Sequence, residues 1–201
     1  SGDDIKKQIF HRYRRIYSYS DEHRNLKSFL EQHLKKAIDE MLDSIVSNWQ
    51  GDFSDVLPRQ NQVLSPSDFG FHNAIKRNRQ ISFIDFEYFG RDDPVKLTSD
   101  FILHPSRKLT TDQKIYWVGE MQSIFSHDNN FEERLRLSYC LFGLCWCLIL
   151  LNEFSDSYLM KRLYASNDDF SKKEKRDCQL EKSYQLLKYI LKVHREGFPY
   201  E

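Results

Sequence analysis

From residue 26 to 49 the apolar positions recur at three- and four-residue steps: Leu26, Phe29, Leu30, Leu34, Ile38, Met41, Leu42, Ile45 and Trp49, with Lys, Glu and Asp between them. This spacing predicts an amphipathic helix over 21–49, capped by Ser20 or Asp21 and followed by Gly51. A shorter helix carrying Ile5, Ile9, Phe10 and Ile16 is expected ahead of it. Residues 50–66 read as loop, punctuated by Gly51, Pro58, Asn61 and Pro66. The texture then changes. Val63-Leu64 reads as the end of a short strand, and "NAIKRNRQISFIDFEYFG" groups β-branched and aromatic residues around Asn78-Arg79, a hairpin signal. Helical periodicity returns after Lys96 and runs to His194. Asn129 or Asn130 is placed to cap a helix over about 131–152, and Ser171 with Glu174 forms a capping box for the last long helix. The predicted fold is mostly α with a small β hairpin, in one domain over 1–201.

Composition agrees with this. Gly 7 and Pro 5 in 201 residues are too few for a sandwich or barrel rich in turns. Lys+Arg 30 against Asp+Glu 30 cancel overall, and no segment forms a basic arm, so nucleic acid is not an expected partner. The run Tyr139–Leu151, "YCLFGLCWCLILL", is shorter than a bilayer is thick and is expected to be a helix buried on all sides, with no membrane partner. Trp146 within it reads as core. Cys140, Cys145, Cys147 and Cys178 show no metal-type spacing and three lie in the apolar run, which suits a reducing cytoplasm. The seven histidines contain no zinc-type motif.

The chemistry gathers around the hairpin. Before it stands "SPSDFGFHN", with Asp68 and Asn73 five apart, and Asp85 closes its second strand within "FIDFEY". A hairpin brings its two ends together, so these three side chains can converge. Two oxygen ligands on one side of a cleft suit Mg²⁺, which keeps waters and phosphate oxygens in its remaining positions. The remaining Asp is then free to take a hydrogen bond from a hydroxyl nucleophile, the division of labour that phosphoryl transfer requires. Each residue also has an ordinary structural use: Asp68 in a turn, Asn73 in a left-handed position, Asp85 at a strand end. His72 sits in the same loop, either against substrate or simply exposed. Glu87 either faces the cleft or pairs with Arg91. Asp168 and Asp169 either receive a cationic substrate or cap a helix.

D-x-x-x-x-N, a short hairpin and then I-D-F-E resembles the catalytic segment of the aminoglycoside phosphotransferase and choline kinase group, small-molecule relatives of the protein kinases. "GRDDPVKLTSDF" is similar to that family's G-D-P segment, with Asp93-Pro94 and Asp100 in comparable places. The resemblance spans Leu64 to about Pro105. It implies the helical C-terminal lobe of a protein-kinase-like fold. It implies Asp68 as catalytic base, Asn73 and Asp85 as metal ligands, Mg²⁺ and ATP as cofactor and donor, and a small polar molecule with a hydroxyl (sugar, aminoglycoside or choline-like alcohol) as acceptor. The helices after 105 would build the acceptor pocket. Two features depart from the family. Pro66-Ser67-Asp68 stands where it reads H-G-D. The residues before Asp68 also contain no Gly-rich phosphate loop and no strand lysine, so the N-terminal nucleotide-binding lobe is expected to be missing. A non-catalytic pseudokinase-type binding or scaffold module is the alternative these departures imply.

Overall fold

The computed structural model describes residues 1–105, 108–165 and 171–200. The protein is mostly helical with small antiparallel sheets. The acidic pair Asp168 and Asp169 lies outside the described residues.

Helix α1, Gly2–Tyr17, starts on a capping box in which Ser1 and Asp4 satisfy each other's backbone, and it buries Ile9 and Ile16. The stripe expected over 21–49 forms α2, Arg24–Phe29, and α3, Lys35–Asn48, joined by a π turn over Leu30–Leu34. The π turn adds a residue to one turn and keeps Leu26, Phe29, Leu30, Leu34 and Ile38 all on the buried face. Neither expected cap serves this helix. Ser20 and Asp21 lie in a separate 3₁₀ turn, Ser20–Glu22, and Asp21 instead pairs with Lys27 at 2.7 Å.

Strand β1, Val63–Ser65, pairs antiparallel with β4, Gly90–Asp92, in the register Val63 to Asp92 and Ser65 to Gly90. The expected hairpin is β2, Ala74–Arg77, against β3, Gln80–Phe83, with Asn78 in the left-handed region at φ 56°. Strand β4 was not legible in the sequence. Its three residues are Gly-Arg-Asp, without a β-former among them, and pairing with β1 alone holds them extended.

Helix α4, Pro94–Leu103, opens with Asp93 capping the Val95 amide and proline at the first helical position. Helices α5, Thr111–Ile124, α6, Phe131–Leu150, α7, Asp156–Ala165, and α8, Lys172–Glu196, follow. The predicted Ser171–Glu174 capping box starts α8. Asn130 stands at the start of α6 but makes no side-chain cap; Asp128 accepts from its backbone amide.

Helix α6 is the hub. It packs against α8, α4, α1 and α3 and buries Phe131, Leu135, Tyr139, Leu141 and Leu144. The continuous stretch Phe131–Phe154 is 24 residues, long and apolar enough to span a bilayer, yet 72% of its apolar window is covered by the other helices. Gly143 lets α8 approach closely, because a Cβ there would run into the Ile190 side chain. Helix α4 packs against β1 and so ties the β1–β4 sheet to this bundle.

Candidate functional site

Two loops leave the sheets side by side and are stitched together at both ends. The first, 66–73, follows β1. Ser67 adopts φ 61°, a strained conformation for a residue with a Cβ, and Ser65 Oγ accepts from its amide at 3.1 Å. The second loop, 84–89, joins β3 to β4. The Ile84 amide donates to the Asn73 carbonyl at 2.9 Å, and Ser67 Oγ donates to the Tyr88 carbonyl at 3.2 Å. Asp68 and Asn73 therefore lie on one loop and Asp85 on its neighbour.

Within the first loop Asn73 Nδ2 donates to the Asp68 carbonyl at 2.9 Å. This fixes the amide plane and leaves Asn73 Oδ1 without a hydrogen bond among the described residues. Asp85 takes φ 65°, so both loops carry a strained non-glycine residue at the point of closest interest. Among the described residues no hydrogen bond joins the Asp85 carboxylate to Asp68 or Asn73; what the fold brings together is their loops. Glu87 forms no ion pair with Arg91 among the described residues. It hydrogen-bonds Tyr88, and that bond, with the charges of Glu87 and Asp85, raises the exposed Tyr88 phenol above its ordinary range.

The Asp68 carboxylate is half exposed and faces two imidazoles. His72 Nε2 lies 2.9 Å from Asp68 Oδ1 and His104 Nε2 lies 4.0 Å from it. The ligand atoms of Asp68, His72 and His104 all fall within 4.8 Å of one another. Two nitrogens and one oxygen suit a borderline metal such as Zn²⁺ rather than Mg²⁺, whose preferred ligands are oxygens. The all-oxygen pair available to Mg²⁺ is Asn73 Oδ1 and the Asp85 carboxylate. His104 escaped sequence reasoning because it stands 36 positions after Asp68, at the C-terminal end of α4, with no motif around it.

Beneath the imidazoles runs a polar chain. The His104 ring meets the Trp146 indole edge to face at 4.8 Å, Trp146 Nε1 donates to Asp100 Oδ1 at 2.8 Å, and Lys96 Nζ bridges Asp100 at 3.1 Å and Asp92 at 2.9 Å. Burial raises the Asp100 carboxyl above its ordinary value against the opposing pull of Lys96. Trp146 is thus more than core: it carries the support of the site down to α4. Asp93 acts structurally, since it caps α4 and is gripped by Arg134, which also holds the buried Asp128 at 2.8 Å.

Phe69, next to Asp68, turns to the other side of the loop and packs on Phe83, Phe101 and Trp117. With Phe71 and Tyr116 these rings line an apolar cleft of about 430 Å³ between the hairpin and α5. A larger cavity of about 770 Å³ opens between α1, the 49–61 loop and the first turns of α4 and α6. Its Asp92, Asp93 and Asp128 are engaged by Lys96 and Arg134, so those walls are structural.

Comparison of the chain with family models, with curated proteins and with solved structures found no match.

Proposed function

We propose that this chain is the helical catalytic lobe of a phosphotransferase that moves the γ-phosphoryl group of ATP to a hydroxyl of a small molecule. One observation carries the reading: loop 66–73, with Asp68 and Asn73, is hydrogen-bonded at both ends to loop 84–89, with Asp85. The Ser67 backbone adds support. The resemblance has Gly before the catalytic Asp, and Ser67 in that place keeps the left-handed φ that glycine favours.

In this reading Asp68 is the base. With His72 donating from Nε2 to Oδ1, the second carboxylate oxygen accepts the acceptor's hydroxyl proton and aims its oxygen for in-line attack. His72 and His104 fix the carboxylate rather than react. Asn73 Oδ1 and the Asp85 carboxylate would hold Mg²⁺, and their oxygen-only donor set fits it. Bound there, Mg²⁺ supplies neutralisation of the phosphate charge. The hairpin and second loop expose Ile75, Ile81, Phe83, Phe86, Tyr88 and Phe89, several of them more than half accessible. An apolar surface of that kind is what a nucleotide-binding lobe would cover.

The test is Mg²⁺-ATP turnover by the full-length protein. Asp68→Asn and Asp85→Asn should each lower it by about 10²-fold or more, the scale on which a general base contributes. Full activity in Asp85→Asn overturns the reading.

A further inference from the structure

A further, smaller pocket, of about 270 Å³, is carved between α1 and the turn that enters α7. Arg12, Arg15 and Lys161 line it, with the hydroxyls of Ser155, Ser157 and Tyr158. No carboxylate lines it among the described residues. Among the described residues none of the three cations forms an ion pair: the Arg15 guanidinium donates to the neutral Asn152 amide oxygen, which leaves its charge uncompensated. The carboxylates on the adjoining turn are engaged elsewhere, Glu153 by Arg162 and Asp156 by Arg176, each at 2.7 Å. Ser155 and Ser157 hydroxyls lie 2.9 Å apart at the pocket wall. Three like charges held around one concavity repel one another, and an oxyanion with several acceptor oxygens would relieve that repulsion.

Two residues of the pocket interact electrostatically with groups near the candidate site. Tyr158 lies within electrostatic reach of Tyr88, on the loop of Asp85, and the Tyr88 carbonyl is bonded to Ser67 beside Asp68. Arg12 lies within electrostatic reach of Cys145, the neighbour in sequence of the Trp146 that supports His104.

We propose that this pocket binds a phosphoryl group carried by the acceptor, so that the molecule phosphorylated at its hydroxyl is itself a phosphomonoester. This rests on the phosphotransferase reading and narrows it. It replaces the neutral or cationic acceptors that the resemblance implies with an anionic one. Two guanidinium forks, an ammonium and paired hydroxyls offer more donors than a carboxylate can use and suit the oxygens of a phosphate dianion.

Two measurements test it. Inorganic phosphate titrated into the protein at constant ionic strength should give saturable amide shifts at Ser155, Ser157 and Lys161. These should weaken at least about tenfold in Arg12→Gln/Lys161→Gln, a pair of surface changes that leaves the core untouched. In the full-length protein with Mg²⁺-ATP, a sugar phosphate should be used with kcat/KM at least about tenfold above the same sugar without its phosphate. The double variant should erase that preference and leave KM for ATP unchanged. Turnover without phosphate binding here, or a double variant that alters only KM for ATP, overturns the pocket assignment alone. Phosphate binding without turnover of any acceptor overturns the phosphotransferase reading, and the acceptor assignment falls with it.

Discussion

The imidazoles of His72 and His104 lie face to face, 4.5 Å between centroids and 12° between planes, at the edge of the Asp68 carboxylate. One comes from the loop that carries Asp68 and the other from the end of α4, so the stack clamps a half-exposed loop to the helical body. Aromatic pairs of this kind contribute about 0.5–1.5 kcal/mol beyond the area they bury. His104→Ala removes the stack on His72 and the edge contact to Trp146. It should lower the melting temperature by about 2–4 °C, the shift that ~1 kcal/mol produces in a chain of this size. His104→Phe keeps both ring contacts and should recover most of that loss. If the Ala and Phe variants melt together, the stack contributes nothing.

The fold was legible where the periodicity was long. The stripes within 21–49 and 131–152 and the one after Ser171 became helix, starting at Arg24, Phe131 and Lys172, and the Ser171 capping box and the Asn78-Arg79 hairpin formed as expected. That the loops carrying Asp68, Asn73 and Asp85 lie side by side was also legible, because their spacing around a hairpin is a local pattern, but Asp85 stands two residues beyond β3 instead of closing it. What lay beyond reach was long-range. Strand β4 exists only through β1, and His104 meets Asp68 only after α4 has packed. Trp146 reaches Asp100 only because α6 crosses α4. The basic pocket joins residues about 140 positions apart, on α1 and α7. Sequence periodicity reports which face is buried, not which neighbour covers it.

Lys96 gives a pH-dependent prediction. Burial works against its ammonium, but the charges and hydrogen bonds of Asp100 and Asp92 outweigh burial and raise it above its ordinary value of 10.5. A cation whose folded pKa is raised contributes stability that is complete below the unfolded value and fades as pH climbs through the folded one. Lys96→Met leaves Asp100 buried without its cation and should cost about 2–4 kcal/mol at pH 7, somewhat below the loss expected for a fully buried pair because both side chains are partly accessible. The gap between wild type and variant should stay constant from pH 7 to 10 and narrow above 10.5. Denaturant titrations across that range measure it, and a gap that narrows already below pH 9 contradicts the assignment.

The cysteines separate cleanly. Burial alone pushes the Cys140 thiol up to about 12; burial dominates at Cys145, also about 12, and raises Cys147 further. Thiolate is the reactive form, so these three are doubly protected, while Cys178 on α8 is exposed. A thiol reagent at pH 8 should modify one cysteine in the native protein and four in denaturant, with Cys178→Ser abolishing the native reaction.

Asp85 is where strain and chemistry should part company. Its φ of 65° costs a non-glycine residue about 1–2 kcal/mol, which Asp tolerates better than a β-branched side chain does. Asp85→Gly relieves that cost but frees the unfolded chain, an opposing effect of about 0.5–1 kcal/mol. The glycine variant should therefore be as stable as the wild type or up to about 1 kcal/mol more so, while losing Mg²⁺-ATP turnover. Asp85→Val keeps the strain, cannot relax locally and should be destabilised by at least about 1 kcal/mol. Chemical denaturation of the three proteins reads these differences directly. A glycine variant clearly less stable than wild type would mean that the Asp85 side chain supports the fold, and the case for its reserve as a metal ligand would fall.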